Sequence, residues 1–392
     1  MLALVVAVLM ASLVRYMHGS YAHYDVLLYQ HYAIDFWAGR TLPAEYPPLA
    51  VLSFSLTVLP PLPDVVTVFA LWMLGLLVVC LVAIARRESP RAAEVCAVYL
   101  AAGTWPTVLG RYDLVPAAVT LAAWWAVRQR HFTAAYGLLA AGALLKLYPA
   151  VLVPAVVIEH YRALERSPLR SRPPRAVLAG AALFCGAVGA GFAVALLLDP
   201  GGWLGPFTYS AHRPLQVESL PATLLWATSA FGLPVTHEVS FHSDNLLGRL
   251  DGVIGAGAQV AMAAGLVWVY WSQAAGRLGF ASAFAVCLLI VICTGRVLSP
   301  QYLIWVLPLI AVAERDYDPL WLAVCVLTTL VFPFAYSQVH PPGSGPPAGL
   351  PLLLLGLIAV RNGTLVVATI RFIRRSLTGQ GGPGPAPGTP LA

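Results

Sequence analysis

The sequence predicts an all-α, polytopic transmembrane helical bundle, and three observations carry that prediction. Of the 392 residues, 59% are hydrophobic and 10% charged, and the mean hydropathy is +0.78. Soluble domains hold roughly 45–50% apolar residues. Apolar runs succeed one another along most of the chain, separated by short loops rich in Arg, Pro or Gly. A helix satisfies its own backbone hydrogen bonds in lipid, so such runs read as spans, and the weak alternation of a membrane barrel is missing.

Taken in order, Met1 to Val14 reads as the first span. It lacks the basic leader and small-residue cleavage site of a signal peptide, and its shortness leaves room for a start upstream. The first outer loop, 18–63, carries Asp25, Asp35, Arg40 and Glu45 among five tyrosines and two histidines between 21 and 48. Within it, PPLAVLSFSLTVLPPLP is bounded by prolines and too short to cross, so interfacial or re-entrant helices are expected there. Spans follow at 64–85, 92–108, 114–127, 132–146, 147–160 and 176–198. After a long outer segment, 199–251, come 252–272, 280–294, 300–313, 319–334 and 350–371, which makes about 12 spans in all. Several are nearer ~15 residues than ~20, and are expected to be tilted, broken or partly inserted. Residues 1–376 form a single membrane domain. The Gly/Pro-rich tail, 377–392, cannot bury a core and is expected to be a disordered cytoplasmic extension.

Orientation follows from basic residues, which concentrate in cytoplasmic loops. With the N-terminus inside, those loops hold Arg86, Arg87, Arg91, Arg128, Arg130, Arg162, Arg166, Arg170, Arg172, Arg175, Arg277, Arg315, Arg371, Arg374 and Arg375, 15 of the 23 basic residues. The net charge of +6 therefore reflects topology, and no single basic patch with interleaved aromatics suggests nucleic acid. The six cysteines sit singly in apolar runs; without a CxxC pair or Cys/His spacing they read as packing residues.

What remains faces outward: Asp25, Asp35 and Arg40; Arg111 and Asp113 in GRYDL; Lys146, the only lysine, in LLKLYP; Arg213 and Glu218 in HRPLQVES; then His237, Asp244, Arg249, Arg296 in TGRVLSPQY, and His340. Ionisable groups at span ends are expensive unless they face a polar cavity. Cations and carboxylates from separate loops on one face are what an active site needs. Each also has a plainer reading. Asp25 can cap a helix; Asp35 can lie on a solvated face; Asp113 can pair with Arg111 or another cation; Arg213 and Glu218 can staple their own loop. Lys146 can snorkel, although Tyr148 and Pro149 end its helix there and leave the ammonium near polar neighbours. Outer tyrosines and tryptophans serve equally as an interfacial belt or as faces for sugar rings.

At HYDVLLY, EYPPLAVL, RYDLVPAAV, ALLKLYPAVLVP, HRPLQVES and VLSPQYLIWVLPL, from residue 23 to about 310, the chain resembles glycosyltransferase family 87, membrane enzymes of the GT-C superfamily that include polyprenyl-phosphate-mannose-dependent mannosyltransferases. The resemblance implies an inverting transferase of the plasma membrane with an extracytoplasmic active site, a catalytic aspartate in the first outer loop matching Asp25, and a polyprenyl-phosphate sugar donor, mannose or another sugar. A base must take the proton of the acceptor hydroxyl, and cations must meet the leaving phosphate; Arg213, Arg296, Lys146 and Arg111 are the candidates, arginine being suited to bidentate contacts. Asp113, Glu218, His212, Tyr24, Tyr29, Gln301 and Tyr302 complete the residues expected around substrate. The expected partners are the donor, a glycolipid or glycan acceptor and membrane lipid, not nucleic acid. No cofactor or metal is expected: a monophosphate carries little charge, and the DYD at Asp316–Asp318 falls on the cytoplasmic side. An arabinosyl- or glucosyltransferase differs only in substrate. A lipid-linked glycan transporter or flippase is disfavoured by charges gathered at one face and by the lack of a second copy of the first loop.

Overall fold

A computed structural model describes residues 24–59, 64–165, 173–339 and 349–378. The first span at Met1 to Val14, most of the 377–392 tail and His340 lie outside the described residues. The rest is all-α apart from one small sheet. Helices α1 (Tyr24–Trp37) and α2 (Ala50–Phe54) occupy the first loop, where short helices were expected. Then come α3 (Val65–Arg87), α4 (Pro90–Val108), α5 (Leu114–Arg128) and α6 (Phe132–Leu145), a 3-10 turn at Tyr148–Leu152, α7 (Val153–Glu165) and α8 (Pro173–Leu198). Beyond the long loop lie α11 (Asp251–Ala274), α12 (Phe280–Thr294), α13 (Leu303–Glu314), α14 (Pro319–Thr329) and, after a π-turn and the short α15 (Tyr336–Val339), α16 (Leu352–Leu377).

Local chemistry starts these helices where apolar runs begin. Asp64 accepts from the Val66 backbone N–H at 3.1 Å, Ser89 from Ala92 at 3.0 Å and Asp318 from Leu320 at 2.8 Å, filling donors that a helix start leaves open. Pro90 and Pro319 sit at first helical positions, where no backbone N–H is missed.

Five stretches are long and apolar enough to cross a membrane: Val65–Arg87, Arg175–Leu198, Asp251–Ala274, Pro319–Val339 and Leu352–Leu377. Their outward faces stay apolar: Leu178, Leu197 and Leu198 on α8, Val253, Val260 and Val267 on α11, and Val79 on α3 are all exposed. Hydrocarbon covers such faces at no cost, whereas water would not. The other spans read from sequence are helices of 12–19 residues, and α5, α12 and α13 form the buried centre. The protein is a polytopic α-helical membrane protein.

The long segment after α8 is more ordered than the sequence reading had it. It contains α9 (Gly205–His212), β1 (Leu215–Gln216), α10 (Leu220–Ala227), β2 (Val235–Ser240) and β3 (Ser243–Gly248). The strands form an antiparallel sheet in the order β1-β3-β2, with Leu215 opposite Leu246 and Ser240 opposite Ser243. Leu215, Val217, Leu225 and Leu246 pack with Val331, Leu354 and Ile358 into a second, smaller core, which fixes the sheet against α16.

Charge sorts to two ends of the bundle. At one, Arg128 and Arg315 meet Glu88, Arg91 meets Glu94 and Asp316, and Arg371 and Arg375 meet Asp318. Both aspartates of the DYD sequence are thus held by arginines. The opposite end holds the candidate site.

Candidate functional site

The turn between α4 and α5, Arg111-Tyr112-Asp113, is the hub of this end. Its two charged side chains take different partners. Arg111 forms an ion pair with Asp25, in the first turn of α1. Asp113, buried to 1% exposure, accepts from Lys146 Nζ at 2.6 Å and from Trp305 Nε1 at 2.7 Å. Between them the buried Tyr112 donates from its hydroxyl to the Leu145 carbonyl at 3.0 Å, tying the turn to the end of α6. Of the two partners read for Asp113, Arg111 or another cation, the structure has the other cation, Lys146.

Lys146 does not snorkel. Helix α6 stops at Leu145, Lys146 is extended, and its ammonium enters an aromatic surround 5.1 Å from the Tyr112 and Trp305 ring centres and 5.6 Å from that of Tyr302. Trp305 is itself sandwiched, 4.3 Å from Tyr148 and 3.9 Å from Tyr302. Cation–π attraction and one carboxylate replace the lost hydration. Arg111 and Arg213 are near enough to oppose the charge of Lys146, so three cations converge.

Arg213 follows α9 and leads into β1. Its guanidinium donates to Ser243 Oγ at 3.2 Å and lies 5.7 Å from the Tyr209 ring, while its buried Nε has no partner among the described residues. Arg296 donates to the Arg213 carbonyl at 3.4 Å, and its Nε is likewise buried without a partner. The two loops are joined by Gln216, whose N–H bonds the Arg296 carbonyl at 2.9 Å and whose Oε1 accepts from Leu298 at 2.9 Å. Unused, buried Nε donors on two half-buried guanidiniums are what an anionic ligand would engage.

The pairing of Arg213 with Glu218 is corrected. Strand β1 separates them, and Glu218 turns inward to Arg361 of α16 at 3.3 Å. Arg361 and Asn362 also donate to the Glu218 carbonyl, at 2.8 and 3.1 Å. Burial pushes the Glu218 carboxyl up to about 7 against the pull of Arg361.

The remaining residues fall into place around this centre. Tyr29 is buried and stacks on Phe54 at 4.4 Å, part of the aromatic packing under α1. Tyr24 is 56% exposed. His212 is exposed, its Nδ1 2.8 Å from the Thr208 carbonyl. Gln301 accepts from Ser299 Oγ, and Tyr302 stacks on Trp305. Asp35 pairs with His31 and Arg40 at 3.1 and 2.9 Å. His237 Nε2 lies 2.6 Å from Asp244 Oδ1. Among the described residues no group of three His, Cys, Asp or Glu side chains could hold a metal ion.

Three built-in residues escaped the sequence reading as site residues: Trp305, Glu45 and His242. Glu45 accepts from the Tyr32 hydroxyl at 3.0 Å and lies 2.7 Å from His242 Nδ1. Burial, helped by Glu45, pushes the Tyr32 and Tyr209 hydroxyls up, so both remain protonated donors. Two of the three stood inside motifs already singled out, EYPPLAVL and VLSPQYLIWVLPL.

The described residues form a multi-pass membrane bundle with carboxylates and cations gathered at one end. Residues 45–300 match glycosyltransferase family 87, and the chain belongs to that family. No curated protein matches it. It is a membrane glycosyltransferase, acting on a sugar donor and an acceptor. The matched stretch contains Arg111, Asp113, Lys146, Arg213, Glu218 and Arg296; Asp25 precedes it.

Proposed function

We propose that the protein transfers mannose, with inversion, from a polyprenyl-phosphate donor to the hydroxyl of a glycolipid or glycan acceptor, at the extracytoplasmic face of the plasma membrane. Asp25 is the general base. The acceptor oxygen forms a bond to the anomeric carbon as the bond from that carbon to the phosphate oxygen breaks. The electron pair leaves with the polyprenyl phosphate, and the acceptor proton passes to Asp25.

The observation that carries this reading is the Asp25–Arg111 ion pair, with Lys146 and Arg213 close by. A guanidinium beside Asp25 favours its ionised form, the form that can accept a proton. Once Asp25 is protonated its hold on Arg111 weakens, and the guanidinium is released toward the leaving phosphate with Arg213, Arg296 and Lys146. Four cations meet the developing charge without a divalent ion, and the apolar flanks of the bundle suit the prenyl chain.

The test uses purified protein in lipid nanodiscs, labelled polyprenyl-phosphate mannose, glucose and arabinose, and membrane acceptor extract. Mannose transfer should be fastest, should survive EDTA, and should fall about 10²–10⁴-fold in Asp25→Asn. Preference for another sugar would refute the donor assignment, and loss of activity in EDTA the metal-free one.

A further inference from the structure

The hairpin joining β2 to β3 turns on two residues only, Phe241 and His242, since Ser240 and Ser243 are directly paired. Both turn residues adopt left-handed backbone, with φ of 53° and 54°. A two-residue turn of this kind favours Asn-Gly; a bulky Phe is strained there, while His enters the region more readily. The surroundings hold the strain in place. Tyr209 donates to the Phe241 carbonyl at 2.8 Å with its ring 5.0 Å from that of Phe241, Asn245 donates to the Ser240 carbonyl at 2.8 Å, and His242 meets Glu45. Retained strain of this type marks functional positions more often than folding needs.

What the turn displays is an open cavity of about 600 Å³, lined by Tyr24, Val239, Ser240, Phe241 and His242. Its size is within the roughly 300–1,000 Å³ of small-molecule sites. Tyr24 adjoins Asp25 in the first turn of α1, and its ring lies 6.0 Å from that of His242. The lining is aromatic with a few hydrogen-bonding groups, and contains neither Lys nor Arg. Such a surface suits a neutral sugar, whose C–H faces pack on rings and whose hydroxyls seek His and Ser; it does not suit a phosphate. None of the four cations is among its lining residues, although Arg213 reaches Ser243, next to His242, and Arg111 pairs with Asp25, next to Tyr24.

We propose that this cavity is the acceptor-saccharide subsite, with Phe241 and Tyr24 as sugar platforms and His242, set by Glu45, as the hydroxyl-binding group. The proposal deepens the function given above and rests on Asp25 as the base, because it delivers the acceptor hydroxyl beside that residue.

The experiment is saturation-transfer NMR of mannobiose, against mannose 1-phosphate, on the protein in nanodiscs, alongside the transfer assay. Mannobiose should bind wild type and Asp25→Asn alike, and at least tenfold more weakly to Tyr24→Ala and to the double variant Phe241→Asn/His242→Gly. The double variant places the preferred pair in the turn, so it should melt at or above the wild-type temperature while the acceptor KM rises. Undiminished mannobiose binding in the double variant, preference for mannose 1-phosphate, or no binding to wild type would each overturn the proposal, and a lowered melting temperature would overturn the strain argument. Should Asp25→Asn keep full transfer while the double variant loses mannobiose, the base assignment fails and the subsite stands.

Discussion

At the scale of single residues, the site is held by carboxylates that each serve one cation. Lys146 and Asp113 form a largely buried pair with side-chain exposures of 17% and 1%. Removing one partner of such a pair strands the other, at a cost of about 3–5 kcal/mol. Lys146→Met and Asp113→Asn should each lower the thermal midpoint markedly, and the double variant should be less destabilised than the sum of the two. Additive losses in thermal melts would show that the two residues do not act as a pair. Glu218 supplies a different signature. Its folded pKa of about 7 is above its unfolded value, so the folded state binds the extra proton between the two. Stability from this group is complete below the unfolded pKa and is lost as pH rises toward 7 and beyond. Chemical denaturation from pH 5 to 8 should show that decline, and Glu218→Gln should flatten it. Asp25 and Arg111, which the structure pairs, stood out in the sequence because charge is scarce in an apolar chain, and the family resemblance singled out Asp25 among the nearby carboxylates. Trp305 did not, because its partner Asp113 is 192 positions away and nothing in a run such as LIWVLPL distinguishes a ring that donates to a carboxylate from one that only packs.

At the scale of elements, boundaries follow the apolar runs closely: the runs at 64–85, 114–127, 252–272 and 280–294 became Val65–Arg87, Leu114–Arg128, Asp251–Ala274 and Phe280–Thr294. An apolar run must be helical in lipid, so composition alone sets the element. The sheet was hidden for the opposite reason. Its strands are short, and its turn carries Phe-His where Asn-Gly would have announced a hairpin. Close helix packing is equally silent in sequence. A Cβ added at Gly103 of α4 would come within 2.9 Å of the Cys325 Cα on α14, a backbone atom that cannot swing away. Small residues at such crossings let backbones approach. Gly103→Ala should therefore cost about 1–3 kcal/mol, read as a lower melting temperature in nanodiscs, whereas Gly75→Ala on α3, whose Cβ meets nothing within 4 Å, should be neutral or stabilising.

At the scale of the whole molecule, two charged ends face each other across an apolar middle. Arginines that the positive-inside rule assigned to one side gather at one end with Glu88, Glu314, Asp316 and Asp318. Asp25, Lys146, Arg213 and Arg296, drawn from separate loops, gather at the other. Reporter fusions after Arg91 and after Glu218 should fall on opposite sides of the membrane, the latter extracytoplasmic; the same side for both would break the assignment. The proposed polyprenyl donor and the proposed extracytoplasmic site together make one demand on the fold, that the proposed base and the cations share the end facing away from the cytoplasm. Sugar transfer by Asp25→Asn in nanodiscs, with folding verified by melting, tests the central claim most directly. The account predicts a loss of about 10²–10⁴-fold with folding retained, and transfer at the wild-type rate would contradict it.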